Sequence, residues 1–304
     1  MGVNSMVGTG GSMGTLFDQL VDQPAEDVCE DASVPEIESV GVFYNRVYAD
    51  FCTVVDGYAA NLERLRLLED DQGATEYTHA IQNMSKHSVE KEKTDLAKEI
   101  RNVLVHRASR QFAPAGVSLE IDTSALHDRF PLDRSYAKPF DADAIWQYLE
   151  KTYGNGSGEE EAWRQLANNI IDSFYLKRGK EVKRKGNYVV IDLSVSVDSI
   201  DKKYDGSNKL CYHSSESLRK VLRELVTFAE WADRPRLAHD LGTVGPHYQG
   251  YKATIESRRQ HSCGDEGEIV IVTFTKQFEF RFRSDVAEQF QNFLGTYGTF
   301  SEDR

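Results

Sequence analysis

The sequence predicts an α+β protein, with a long N-terminal helical hairpin followed by an antiparallel sheet covered by helices. Three observations lead to this prediction. An apolar residue recurs every three or four positions from Phe43 to Leu65, and the same helical period returns between residues 88 and 104. The C-terminal half alternates apolar and polar residues with a period of two. A chain of 304 residues is long enough to bury such a core without disulfides or metals.

Composition divides the chain into four segments. Residues 1–40 contain eight acidic residues, no Lys or Arg and a cluster of glycines, so they are predicted to be a disordered acidic tail. Residues 41–112 form the predicted helical hairpin. Residues 113–154 are a proline-bearing connector with one helix, capped by Asp141, and residues 155–304 are the α+β domain.

The first helix of the hairpin carries an apolar stripe longer than one partner helix has to cover. Spacings of three and four residues are typical of a hairpin core and also of a seam between two copies of a chain. The second interpretation predicts a homo-oligomer, most simply a dimer. Its seam residues are Phe43, Val47, Phe51, Val54, Tyr58 and Leu62.

The sheet is predicted from two regions of alternating residues. The first is a strand from Val189 to Val197, whose odd positions are apolar. The second is a hairpin in which residues 251–256 pair with a run over residues 270–283 across a glycine-bearing turn at 264–267. In that run Val270 and Val272 are predicted to share the buried face with the phenylalanines that follow. Ser284 then begins a final helix.

The net charge of the chain limits the classes of molecule that it can bind. The chain has 36 Lys and Arg against 49 Asp and Glu, a formal net charge of −13, which repels a phosphate backbone and disfavours a general nucleic-acid binder. No apolar stretch approaches the roughly 20 residues that span a bilayer, and no signal-peptide pattern opens the chain, so we predict a cytoplasmic protein without a membrane partner. Four cysteines are too few for a disulfide framework and are predicted to be free thiols.

No motif links a nucleophile to a base and an orienting group, so we predict a protein that is not an enzyme and has no cofactor. We therefore predict that the chain has no catalytic residues. His239 and His247 lie in or beside the segment Leu237–Pro246, which is predicted to be an exposed loop. A histidine in such a loop is more often solvated than catalytic.

Four residues have the side chains that zinc prefers, namely Cys211, His213, His261 and Cys263. Each pair is separated by one residue, whereas the usual zinc knuckle has two residues between its ligands. We therefore favour unrelated loop residues over a metal site. A zinc-dependent enzyme remains a third hypothesis for the function.

One stretch of the chain is strongly basic. Residues 177–185 contain six cations and a single opposing carboxylate, that of Glu181. Such a hinge is suited to an acidic protein surface or to nucleic acid, and a solvated loop is the alternative interpretation. The residues predicted to bind a partner are Tyr175, Lys183, Arg184, Lys185 and Tyr188.

The strand Tyr188–Leu193 and the aromatic run Val272–Phe282, which leads into a final helix at Ser284–Leu294, follow the basic hinge in a characteristic order. This order resembles an uncharacterised domain carried by phages, prophages and plasmids, over about half of the chain. That family implies no catalytic residues.

Acidic, non-enzymatic proteins of mobile elements also resemble inhibitors of bacterial immune complexes, including proteins that wrap the Gabija nuclease-helicase assembly. The resemblance implies an inhibitor that binds a host defence complex in the host cytoplasm. The alternative is a nucleic-acid-processing accessory or regulatory protein that uses the basic hinge at residues 177–185.

Overall fold

The computed structural model of the protein describes residues 38–73, 86–132, 139–176, 183–198, 203, 206, 208–248 and 254–300. The predicted acidic tail lies outside these residues up to position 37. In the described ranges the chain forms eight α-helices and one five-stranded sheet, which confirms the predicted α+β class. The described residues from Ser39 onward belong to one compact unit.

The helices are α1 (Val40–Asp71), α2 (Lys86–Gln111), α3 (Thr123–Arg129), α4 (Ala142–Tyr153), α5 (Ser157–Ser173), α6 (Tyr212–Trp231), α7 (Pro235–Val244) and α8 (Ser284–Tyr297). The strands are β1 (Lys183–Lys185), β2 (Tyr188–Ser194), β3 (Gln260–Cys263), β4 (Ile269–Thr273) and β5 (Gln277–Arg283). No helix among the described residues is both long and apolar enough to cross a membrane.

Helices α1 and α2 form the predicted antiparallel hairpin. The start of α1 packs against the core that includes Leu104, late in α2, whereas Asp56 in the middle of α1 pairs with Lys93 early in α2, at 2.7 Å. Helix α4 packs against both of them. The buried residues of this core are Ile100, Leu104, Ala108, Leu126, Ala142, Ile145, Trp146 and Leu149.

The segment predicted as a connector contributes to this helical core. Its described residues, 113–132 and 139–154, contain two helices rather than one, because Asp122 caps α3 by accepting hydrogen bonds from two backbone N–H groups, at 2.9 and 3.0 Å. The predicted cap of α4 is confirmed, since Asp141 accepts from the backbone N–H groups of Asp143 and Ala144. Trp146 and Leu149 of α4 are fully buried, so this helix completes the hairpin core instead of leading away from it.

The sheet has the strand order β1-β2-β5-β4-β3 and is antiparallel throughout. Ile191 lies opposite Phe280, which in turn lies opposite Ile271 on the same face. Helices α5, α6, α7 and α8 cover this face, on which Phe278, Phe280 and Phe282 are fully buried. The prediction of helices on one face is therefore confirmed.

The predicted aromatic run is divided into two strands. A tight turn between β4 and β5, closed by a hydrogen bond from Phe274 N to the carbonyl of Gln277 at 2.8 Å, reverses the chain. Ile269 and Ile271 consequently face the helices, and Val270 and Val272 lie on the opposite face, contrary to the prediction. The partner strand of β4 is Gln260–Cys263 rather than residues 251–256, of which 251–253 lie outside the described residues.

The predicted loop at Leu237–Pro246 is mostly helix α7. Pro235 occupies the first turn of this helix, where its missing N–H costs nothing. Leu237 and Leu241 are fully buried, and His239 is exposed. Burial of the apolar side of α7 explains why the proline and glycine here do not produce a loop.

Candidate protein-binding surfaces

The basic hinge ends in an edge strand of the sheet. β1 and β2 form a hairpin through Gly186 and Asn187, and the positive φ of Gly186, 59°, is one that glycine adopts without strain. The carbonyl of Asn187 accepts hydrogen bonds from the backbone N–H and the hydroxyl of Ser284, at 3.1 and 2.9 Å. These contacts fix the hairpin to the start of α8. Residues 177–182 of the hinge lie outside the described residues.

Two of the three cations on β1 have carboxylate partners on the face of the sheet opposite the helices. Lys183 Nζ lies 2.6 Å from Oδ2 of Asp192, and Lys185 Nζ lies 2.9 and 2.8 Å from the two carboxylate oxygens of Glu279. The hydrogen bond from Lys183 to Asp192 raises the pKa of Lys183. Strand β1 therefore presents less uncompensated positive charge than its sequence predicts.

Glu279 is the anionic centre of this face. Its side chain is only 9% exposed and accepts hydrogen bonds from Lys185 and from Arg281, the latter at 2.9 Å. Burial by itself raises the pKa of Glu279, but the hydrogen bonds from Lys185 and Arg281 outweigh it and lower the pKa below its ordinary value. The ionised carboxylate is thus a structural part of the sheet.

The remaining predicted partner-binding residues differ in their availability. Tyr175 follows α5 in a left-handed conformation with φ of 51°, and the residue is 76% exposed. Arg184 is exposed and has no ion-pair partner among the described residues. Tyr188 is half-buried, and its hydroxyl donates to the carbonyl of Gly267 at 3.3 Å. Tyr175 and Arg184 are therefore the residues of this set that are available to a partner.

A second surface lies along α1. Of the ten exposed large apolar side chains in the described ranges, seven belong to this helix. They are Val42, Phe43, Val54, Tyr58, Leu65, Leu67 and Leu68. Such a concentration of exposed apolar groups is typical of a surface that contacts another protein.

The side of α1 that packs inward is turned by about a quarter of a turn from the predicted stripe. Tyr48, Val55 and Leu62 face the neighbouring helices, whereas Val54 is 70% and Tyr58 is 52% exposed. Leu62 is the one predicted seam residue that is buried, while Val47 and Phe51 are half-buried at the boundary between the two sides. The side of α1 that carries Tyr44 and Tyr48 packs inward because the tyrosine rings fill space next to α4. The rings of Tyr48 and Phe140 are 4.8 Å apart.

The four zinc candidates are not brought together. Among the described residues there is no group of three or more His, Cys, Asp or Glu side chains that could hold a metal ion. His261 Nε2 lies 2.7 Å from the hydroxyl of Tyr248, and Cys211 Sγ lies 3.3 Å from the hydroxyl of Ser214. Burial lowers the pKa of His261 and raises the pKa of the Cys263 thiol to about 12.

An ion-pair network that the sequence did not predict joins three elements of the α+β domain. Arg234, between α6 and α7, contacts Glu268 before β4 and Asp285 at the start of α8. Arg283 also pairs with Asp285, at 2.6 Å, and its hydrogen bond lowers the pKa of that carboxyl group. Arg234 is 34 residues from Glu268 and 51 residues from Asp285, so no local pattern could reveal these two pairs.

Glu224 on α6 is a second unpredicted feature. The residue is 7% exposed, and neither carboxylate oxygen has a hydrogen-bond partner among the described residues. Lys220 Nζ lies 3.7 Å away. Burial raises the pKa of Glu224, and the charge of Lys220 together with a contact from the Ser173 side chain opposes that shift only in part.

We compared the chain with protein-family models, with curated proteins and with solved structures, and none of them matches it. The resemblance to a phage-borne domain therefore stays a prediction.

Proposed function

We propose that this protein is a mobile-element inhibitor that binds a bacterial defence complex in the host cytoplasm and blocks it without chemistry. A Gabija-type nuclease-helicase assembly is the proposed target. The proposal includes self-association of the chain through α1.

The observation that carries this proposal is the exposed apolar face of α1. Val54 is 70% and Leu68 is 54% exposed, on a helix whose opposite side is packed into a core. Monomeric proteins rarely leave a long apolar helix face in water, so the face supports an assembly of protein chains. Its length from Phe43 to Leu65 is about 33 Å, at 1.5 Å per residue.

Strand β1 (Lys183–Lys185), the edge strand at the end of the basic hinge and here called the basic edge, supports contact with an acidic protein surface. Tyr175 and Arg184 are exposed, and tyrosine and arginine are among the side chains most enriched in residues that dominate binding energy. Lys183 and Lys185 already have carboxylate partners, which favours a protein partner over a phosphate backbone. Nucleic-acid processing is therefore the weaker alternative.

Infection of bacteria tests the proposal. The chain is expressed in cells that carry a Gabija-type system and in matched cells that lack it, and both are challenged with a phage that the system restricts. We expect plaque formation to be restored in the first strain and unchanged in the second. Restriction that persists at full expression of the chain would contradict the proposed target. Restored plaque formation in cells that carry a different defence system would identify that system as the target instead.

The variant Arg184→Glu tests whether the rescue depends on binding through the basic edge or follows from expression of any folded form of the chain. We expect this variant to lose the rescue. Glu288→Arg is the matched control, because Glu288 is also exposed and lies on α8. The control should rescue like the unmodified protein.

A further inference from the structure

Three residues form a line along the outward side of α1, and the charges at its two ends would complement those of a second, antiparallel copy. Asp50, Gly57 and Arg64 are spaced by seven residues, or about two helical turns, so they lie in one line along the helix. All three are exposed. The inward line, which includes Tyr48 and Val55, lies two residues away in the chain and therefore on roughly the opposite side of the helix.

We propose that two copies of the chain pair through α1 in antiparallel orientation about a two-fold axis at Gly57. In this arrangement Asp50 of each copy lies opposite Arg64 of the other. The inference rests on the proposed self-association and is independent of the identity of the target.

The charges support this register. Asp50 and Arg64 have no ion-pair or hydrogen-bond partner among the described residues, whereas Asp56 on the same helix is paired with Lys93. Fourteen residues separate them, about 21 Å along the helix, so they cannot pair within one copy. A two-fold axis at Gly57 exchanges the two positions, because each is seven residues from the axis. One axis therefore creates two ion pairs.

Gly57 supports a close crossing at the axis. A glycine inside a helix costs roughly 1 kcal/mol relative to alanine. A Cβ atom added at Gly57 would meet nothing within 4 Å, so no contact with the described residues requires a glycine there. A second helix crossing at this point does benefit, because the missing side chain lets the two backbones approach.

Apolar side chains flank the line on one side. Val54 is 70%, Leu65 is 49% and Leu68 is 54% exposed, and the pairing would cover them. A second copy of the chain is a better candidate to cover this face of α1 than the N-terminal residues 1–37. That segment contains acidic residues and no basic ones, so it offers no counter-ion for Asp50.

Charge reversal in the full-length chain tests the register. Sedimentation equilibrium at low salt should give a dimer for the unmodified protein. Asp50→Arg and Arg64→Asp should each raise the dissociation constant about tenfold or more, since each sets like charges opposite one another twice. The combined variant should return the constant to within about threefold of the original, because the pairs are restored in reverse. Glu288→Arg is the control and should leave the dimer unchanged.

Gly57→Gln gives a second measurement that does not depend on charge. Glutamine favours the helix, so the helical circular dichroism should not fall, while its side chain should raise the dissociation constant at least tenfold. A monomer at tens of micromolar would overturn both this register and the proposed self-association. A dimer that is insensitive to Asp50→Arg would overturn the register alone. A monomer that dimerises only after removal of residues 1–37 would overturn the register for the full chain and assign the face to that segment.

Discussion

Lys185 and Glu279 are hydrogen-bonded across strand β2, with Nζ 2.8 Å from Oε2. Lys185 belongs to β1 and Glu279 to β5, so the lysine side chain crosses the strand between them to reach the carboxylate. This pair changes the interpretation of the basic hinge. Part of its charge stabilises the sheet, and only the residues without such partners are available to bind another protein.

Lys185→Met should lower the free energy of unfolding by about 1–2 kcal/mol at neutral pH, because it leaves the buried carboxylate of Glu279 with fewer donors. The lowered pKa of Glu279 stabilises the fold above the ordinary glutamate pKa and stops doing so as the pH falls. The difference between variant and original should therefore shrink at acidic pH. Urea denaturation at pH 7 and near pH 4 measures it. Equal losses at both pH values would contradict the assigned role of the pair.

Tyr175→Ala and Arg184→Glu should each weaken binding of the proposed partner complex by about tenfold or more, since both side chains are exposed, Tyr175 just before the basic hinge in the chain and Arg184 on strand β1. Neither change should alter the unfolding free energy by more than about 0.5 kcal/mol. Calorimetric titration against the purified complex, with Glu288→Arg as control, measures the effect. Unchanged affinity in both variants would place the binding surface elsewhere.

Gly41→Ala should destabilise the protein by about 2 kcal/mol, because a Cβ atom at Gly41 would overlap the backbone of Asp143 where α1 crosses the start of α4. Gly242→Ala is the matched control. A Cβ atom there meets nothing within 4 Å, so this change within α7 should stabilise the protein by about 0.5–1 kcal/mol. Chemical denaturation compares the two. The packing of α1 on α4 would be in doubt if Gly41→Ala were neutral.

Glu224→Gln should raise the free energy of unfolding by about 1 kcal/mol at neutral pH, because it removes a buried charge that lacks hydrogen bonds. The raised pKa of Glu224 means that the folded state binds the proton more tightly than the unfolded state, so acidification favours folding of the original protein at this group. The advantage of the variant should shrink as the pH falls toward 4. An exposed control, Glu288→Gln, should show no such trend.

Periodicity predicted the fold class because each long element repeats its pattern several times. The alternation at Val189–Leu193 identified β2, and the cap at Asp141 identified the start of α4. A single tight turn between Phe274 and Gln277 was enough to reverse the predicted face of Val270, because every residue beyond a missed turn changes side.

The candidate sites were predicted less well, since their properties depend on partners far apart in the chain. Lys185 is 94 residues from Glu279, so composition could identify the basic hinge but could not show which cations are already paired. The stripe on α1 was similarly ambiguous. Tyr44 and Tyr48 compete with Phe43 and Val47 for the buried side, and only packing against α4 selects the tyrosines.

The most direct test of the central claim mixes the purified protein with a purified Gabija-type nuclease-helicase complex and follows both mass and DNA cleavage. We predict a stable assembly by light scattering, with cleavage suppressed in proportion to the added protein until a fixed stoichiometric ratio is reached. Separate elution with undiminished cleavage would contradict the account. So would complete suppression at a small fraction of that ratio, because it would require turnover by the protein.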